Sequence, residues 1–269
     1  MPKHKPLVSF STDFGPGNRG HGVMKAVILE RCPDAEVVEL ATNVEGFDLR
    51  DGAKNFEGLA WLPKGIHICV VDPGVGTQRR GLIIETGRGD YLVGPDNGVL
   101  LPAASFVGDV KRAWHITNQE YLRQPVSHVF HGRDVFASVA GHLAAGVKPQ
   151  EIGVEVGAGS LAPAPYPEAC AENGRISAEI IHVNAFGNVS FNIRNEALHQ
   201  LVSLDDLITL TKGKQKIALP YKKTFGEVAA GTGLIFDGDF GRVEAALNQG
   251  SLAAKAGLKT ADRVTLAKC

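Results

Sequence analysis

In the first half of the chain, short apolar runs alternate with amphipathic stretches at helical spacing. Leu7 to Phe10, Ala35 to Leu40 and Ile66 to Val71 are brief and rich in β-branched residues, the pattern of strands buried on both faces. Between them, Val23, Met24, Val27, Ile28 and Leu29 recur at helical spacing up to Arg31, where Pro33 forbids continuation. Leu49, Ala53, Phe56, Leu59 and Ala60 then share a stripe that predicts a helix from Asp48 to Leu62. The order β-α-β-α-β implies a parallel sheet with helices on its faces. Further on, the pattern predicts a strand pair at Leu82 to Thr86 and Tyr91 to Val93. The Gly87-Arg88-Gly89-Asp90 turn joining them needs no more than its glycines. Next come a short apolar helix opening at Gly94 to Gly98 and reaching Leu101, a strand at Ala113 to Ile116, and a small-residue helix at Val135 to Ala145.

The texture changes after Gly153. Residues up to Gly174 are rich in Gly, Ala and Pro and have little periodicity, which marks a domain boundary. Beyond it, strands are expected at Arg175 to Val183, Val189 to Ile193, Leu207 to Thr211, Gln215 to Leu219, Gly233 to Asp237, Arg242 to Leu247 and Arg263 to Ala267. Short helices interrupt them near Glu196 to Val202 and Ser251 to Ala256. We therefore expect an α/β N-terminal domain with a mainly parallel sheet over residues 1–158 and a linker over 159–174. A small antiparallel β-barrel-like C-terminal domain follows over 175–269.

Composition narrows the function. A chain of 269 residues with a formal charge of −1 can bury a large core and carries no polyanion-binding excess, so nucleic acid is not an expected partner. Cys32, Cys69, Cys170 and Cys269 are far apart and lack zinc-ribbon spacing, as expected of free thiols in a reducing compartment. No stretch reaches the ~18 apolar residues that cross a bilayer, and the first ten residues hold no signal-peptide core. The expectation is a cytoplasmic protein without a membrane partner. Lys3-His4-Lys5 and Lys222-Lys223 read as solvated charges.

The candidate chemistry gathers at strand ends. The run from Ile66 stops at Asp72, and Pro73-Gly74-Val75-Gly76 cannot extend a central strand. A carboxylate thus sits at the carboxyl end of a strand, where open α/β sheets bind ligands, with Arg79 and Arg80 just after the turn. Asp13 follows the first strand in the same way. His131 precedes a glycine immediately before a helix N-terminus facing the same rim. Each residue also has a plain structural role open to it: a cap, a solvated charge or a core histidine. His128, His131 and Asp134, with Asp72 and Asp13, could be thought a metal site, but the two histidines precede the helix rather than sharing one of its faces. Walker A and GxSxG signatures are absent.

Five strings go further. STDFG at 11–15, VDPGVGTQRR at 71–80, GPDNGVL at 94–100, FHGRDVFA at 130–137 and FGNVSFNI at 186–193 together resemble the S-adenosylmethionine hydroxide adenosyltransferases. That family is related to the fluorinase and chlorinase, and the resemblance spans essentially the whole chain in order. It implies hydrolysis of S-adenosyl-L-methionine to adenosine and L-methionine, with no metal and no cofactor, by a water attacking the ribose C5′ carbon. The residues implied to hold and activate that water are Asp72, Arg79 and His131. Asp72 and His131 would orient it and accept its proton, with Arg79 pairing the carboxylate. The ribose diol falls to Asp13, covered by Phe47. Phe186, Asn188, Phe225, Leu247, Asn248, Gln249 and Ser251 match the region around adenine. The resemblance further implies a homotrimer with sites at subunit interfaces.

Two positions depart from the family pattern. Asn184 replaces the aspartate that binds the methionine amine, leaving a neutral hydrogen bond where an ion pair is usual. Phe191 replaces a threonine. A related adenosyl compound as substrate, or an S-adenosylmethionine- or adenosine-binding protein with little turnover, are the alternatives this leaves. The halogenases carry Tyr and Thr at the positions of Asp72 and Val75 and an extra loop where this chain has only Gly87 to Asp90, so halide transfer is not expected.

Overall fold

A computed structural model describes residues 5–269, so Lys3 and His4 lie outside the described residues. The chain forms two compact units, one ending at Pro165 and one running from Tyr166 to Cys269.

In the first unit, β1 (Leu7–Thr12), α1 (Arg19–Arg31), β2 (Glu36–Ala41), α2 (Leu49–Phe56) and β3 (Ile66–Val70) follow the expected alternation. Then come β4 (Gly81–Thr86), β5 (Tyr91–Pro95), α3 (Leu101–Phe106), β6 (Val110–Ile116), α4 (Ser138–Ala144), α5 (Pro149–Ile152) and β7 (Gly153–Val156). The sheet order is β2-β1-β3-β5-β4-β6-β7. The first four neighbours are parallel, and β4, β6 and β7 extend them as an antiparallel arm. In β1 and β3, Val8, Phe10, Ile66, Ile68 and Val70 join one core with Met24, Val27 and Ile28 of α1. Val23 and Leu29, counted on the predicted stripe, are exposed instead.

Three local expectations are corrected. The helix expected to reach Leu101 begins there, because Asn97 donates from Nδ2 to the Val71 carbonyl (2.9 Å) and holds residues 96–100 as a turn. The stripe from Asp48 splits into α2 and a 3₁₀ turn at Glu57–Trp61. Within the stretch that reads as structureless, Gly153–Val156 forms the edge strand β7, mostly exposed and therefore without an inward-facing period.

The second unit holds β8 (Cys170–Glu172), β9 (Arg175–Val183), β10 (Val189–Arg194), α6 (Asn195–His199), β11 (Leu207–Lys212) and β12 (Gln215–Pro220). It ends with β13 (Gly233–Asp237), β14 (Arg242–Leu247), α7 (Leu252–Ala256) and β15 (Arg263–Lys268). The strands pair antiparallel in the order β12-β11-β15-β9-β10-β14-β13, and a bridge from Tyr221 to Ile235 nearly closes the ring. This is the expected antiparallel barrel-like fold. β10 alternates strictly: Val189, Phe191 and Ile193 enter a second core, and Ser190 and Asn192 face the other way. Phe191 is thus a core side chain, fully buried.

Candidate active site

β1 and β3 are parallel neighbours with Thr12 opposite Val70, so the residues that follow them emerge at one edge of the sheet. Those residues are Asp13 and Asp72. The Asp13 amide donates to the Val70 carbonyl, tying the two loops together. After Asp72 the chain turns back through Gly76, whose φ of 76° and close approach to a neighbouring loop admit no side chain. A Cβ there would lie 2.3 Å from the His128 carbonyl oxygen. The same turn returns Arg79 to Asp72.

Arg79 is the centre of the array. Its Nε donates to both Asp72 oxygens at 2.9 Å, and its Nη2 donates to Asp72 Oδ2 as well. The same Nη2 donates to His131 Nδ1 at 2.8 Å. The guanidinium lies 5.1 Å from the centroid of the buried Phe136 ring. Because an arginine supplies only hydrogens, Nδ1 must be the accepting nitrogen, and the neutral His131 carries its hydrogen on Nε2. Burial, and then the Arg79 charge, hold the His131 imidazole below its ordinary range, against the opposing pull of Asp72 and Asp134. His131 stands at the N-cap of a π-helical turn, Gly132–Ala137, which runs into α4. That turn brings Phe136 under Arg79, a platform no local sequence signal announces.

Asp13 accepts from the Phe47 amide at 3.0 Å, and Phe47 adopts φ of 63° with its side chain 77 % exposed. A shallow pocket around residues 45–50 includes Phe47. His128 and Asp134 do not join the array. The Asp134 oxygens are taken by Arg133 (2.6 and 2.8 Å) and by the Ser127 amide (2.9 Å). Among the described residues no three His, Cys, Asp or Glu groups are placed to hold a metal. Arg80 is not a solvated charge: it pairs with Asp96 at 2.7 Å.

The second unit carries a groove of about 910 Å³. Seven residues singled out from the sequence line it: Asn184, Phe186, Asn188, Phe225, Leu247, Gln249 and Ser251. Asn248 does not; its Nδ2 donates to the Val228 carbonyl at 2.8 Å. Asn184 Oδ1 accepts from the Phe186 and Asn188 amides at 3.0 and 3.1 Å, so this side chain holds the turn that presents both residues. Phe236, Asp237, Phe240 and Glu244 also line the groove without having been marked by the sequence; Lys223, expected to be a solvated charge, lines it too, and Lys222 pairs with Asp205.

Fold and array together define an α/β enzyme whose carboxylate, guanidinium and imidazole meet at one edge of the sheet. The SAM hydroxide adenosyltransferase N-terminal domain matches residues 8–153 and the C-terminal domain of the same family matches residues 178–265. The chain belongs to the SAM hydroxide adenosyltransferase family. It is 36 % identical to the (R)-S-adenosyl-L-methionine hydrolase of Salinispora tropica, over 96 % of this chain and 97 % of that one. Against the enzyme of that name from Thermus thermophilus it is 36 % identical over 94 % and 96 %. A fluorinase from Nocardia brasiliensis is 24 % identical over 95 % of this chain and 94 % of its own. The crystal structure of an uncharacterized conserved protein from Thermotoga maritima superimposes with a TM-score of 0.89 and 32 % identity, covering 97 % of this chain and 99 % of that one.

Proposed function

We propose that this protein hydrolyses S-adenosyl-L-methionine to adenosine and L-methionine, and that the linked Asp72, Arg79 and His131 hold and activate the attacking water. The three-residue array carries this reading: its groups converge at the carboxyl edge of the sheet, where a ligand meets three different loops. The hydrolase name of the relatives supports it, as does Asp72 itself.

The chemistry suits the residues. Water forms a bond to the ribose C5′ carbon as the C5′–sulfur bond breaks, and the electron pair leaves with sulfur as a neutral thioether. No acid is needed at the leaving group, and no step calls for a redox or group-carrying cofactor. Only one proton must be removed, from the attacking oxygen. His131 already accepts from Arg79 at Nδ1, so its Nε2–H donates to that oxygen and fixes its position. The expectation that both Asp72 and His131 take the proton therefore narrows to Asp72. Among the described residues its Oδ1 accepts only from Arg79 Nε and is the less encumbered oxygen. In-line displacement removes the sulfonium charge in the transition state, so a site that strips water from the cation favours reaction.

Asp13 holds the ribose diol beneath Phe47, and the aromatic groove of the second unit takes the adenine and methionine ends. A homotrimer joins these two sets of residues across subunits, as the family resemblance implies. The four free cysteines suit a reducing cytoplasm. The test is to incubate purified protein, treated with chelator, with the substrate in oxygen-18 water and to analyse the products by mass spectrometry. Adenosine labelled at its 5′ oxygen together with free methionine is expected. Intact substrate, or label elsewhere, would remove the hydrolase reading.

A further inference from the structure

We infer that Glu244 is the residue that recognises the α-ammonium group of the substrate, and that Asn184 is not. The inference rests on the reading above, that the substrate is S-adenosylmethionine.

Three carboxylates line the groove. Asp237 is engaged at both oxygens, by the Tyr221 hydroxyl at 2.9 Å and by His199 at 2.7 Å. Asp239 lies exposed on the turn between β13 and β14. Glu244 is half-buried in the groove floor, in a cross-strand row with Phe236 on one side and Ser190 on the other. Ser190 donates its hydroxyl to Glu244 Oε1 at 3.0 Å. Among the described residues none bonds Oε2, which is left for a ligand. Gly238 lies beside it: a Cβ there would meet the Arg242 carbonyl oxygen at 2.4 Å and then Glu244 Cγ at 2.8 Å and Cδ at 3.1 Å, so no side chain fits next to the carboxylate.

The neighbours match a cation. Phe236 packs on Phe225 with centroids 5.1 Å apart, so aromatic faces border the carboxylate. Asn184 offers no charge, and its oxygen is spent on the turn at Phe186 and Asn188. The substrate has two cationic centres, and they can be told apart physically. The sulfonium loses its charge as the C5′–sulfur bond breaks, so a carboxylate against it would stabilise the ground state and oppose reaction. The ammonium keeps its charge throughout. A fixed carboxylate belongs with the centre whose charge persists.

The test compares Glu244→Gln, Asn184→Asp and the double variant by KM and kcat for S-adenosylmethionine and by the inhibition constant of adenosine, which lacks the amino-acid end. Glu244→Gln keeps the acceptor for Ser190 and removes only the charge. It is expected to raise KM about 10-fold to 100-fold with adenosine affinity unchanged. Adding Asn184→Asp should restore part of the loss by returning a carboxylate to the groove. An unchanged KM in Glu244→Gln overturns the inference, as does an equal loss of adenosine affinity, which would assign Glu244 to the base. If wild-type protein turns over no S-adenosylmethionine at all, the hydrolase reading itself falls, a result no Glu244 variant could produce.

Discussion

The two ends of β3 carry the same three residue types in opposite states. At its amino end, His67, Asp90 and Arg88 form a network in which His67 and Asp90 are fully buried. His67 Nδ1 meets Ser9 Oγ at 2.7 Å and its Nε2 meets Asp90 Oδ1 at 3.2 Å. Asp90 also accepts from the Gly65 amide, the Thr86 hydroxyl and Arg88, and Arg88 reaches on to the Leu59 and Ala60 carbonyls. At the carboxyl end, among the described residues, Asp72 accepts only from Arg79, and His131 only at Nδ1. Saturation separates the two. A carboxylate whose lone pairs are all taken can hold a fold together but cannot meet a substrate; one bound from a single side by arginine keeps capacity for a water. The buried network corrects the expectation that the Gly87 to Asp90 turn needs only its glycines.

Substitutions at the two ends should therefore move different observables. The largest effect is expected of Asp72→Ala, which should lower kcat about 10²–10⁴-fold. Its thermal unfolding midpoint should stay close to wild type, since one turn and one arginine lose a partner. A midpoint falling as far as the activity would make Asp72 a structural residue after all. Asp90→Ala is the mirror case. It strands Arg88 and His67, and should cost about 3–5 kcal/mol in denaturant unfolding, with kcat per folded molecule near wild type.

The Asp90 contribution also has a sign in pH. Burial disfavours its charged form, but the bonds from His67, Arg88 and the Gly65 amide outweigh burial and hold the carboxyl well below the usual carboxylate range. A depressed folded-state value means that the stabilisation is present at neutral pH and fades as pH falls below the ordinary carboxylate value of about 3.8. The stability gap between Asp90→Asn and wild type should accordingly narrow in acid. A gap constant down to pH ~2 would mean the carboxylate charge contributes nothing.

The same contrast explains what was legible beforehand. Asp72 announced itself because a Pro-Gly turn cuts an apolar strand at a carboxylate, a purely local signal. The strands of the second unit were equally plain where one face is buried, as in Val189, Phe191 and Ile193. The edge strands β7 and β8 left no such trace, since edge strands bury too little for the period of two to show. Asp90 was missed for a different reason. Its partners Gly65 and His67 come from another turn and strand, as do Ser9, which bonds His67, and Leu59, whose carbonyl accepts from Arg88, and long-range saturation has no signature in a window of a dozen residues. In the groove, the family strings led to Asn184 and Phe186, whereas Glu244 emerges only once β13, β14 and β10 lie side by side.

The smallest expected effect concerns how the carboxyl-end array is tuned. His131 is held below its ordinary range by burial and then by Arg79, and Arg79 is held in turn over the Phe136 ring at 5.1 Å. Protonating His131 would put a hydrogen on Nδ1 facing the guanidinium, so the neutral form is the working one. Activity should persist as pH falls through the ordinary imidazole value of about 6.5 and decline only below it. Phe136→Leu removes the ring while keeping an apolar side chain in the core. A cation–π contact of ~0.5–2 kcal/mol corresponds to a loss of about 2-fold to 30-fold in kcat. The decisive readout is the pH profile. With Arg79 less fixed, its charge presses less on His131, and the acid limb should move upward toward the ordinary value. A lower kcat on an unmoved limb would mean that Phe136 only fills space, and that the guanidinium is placed by Asp72 alone.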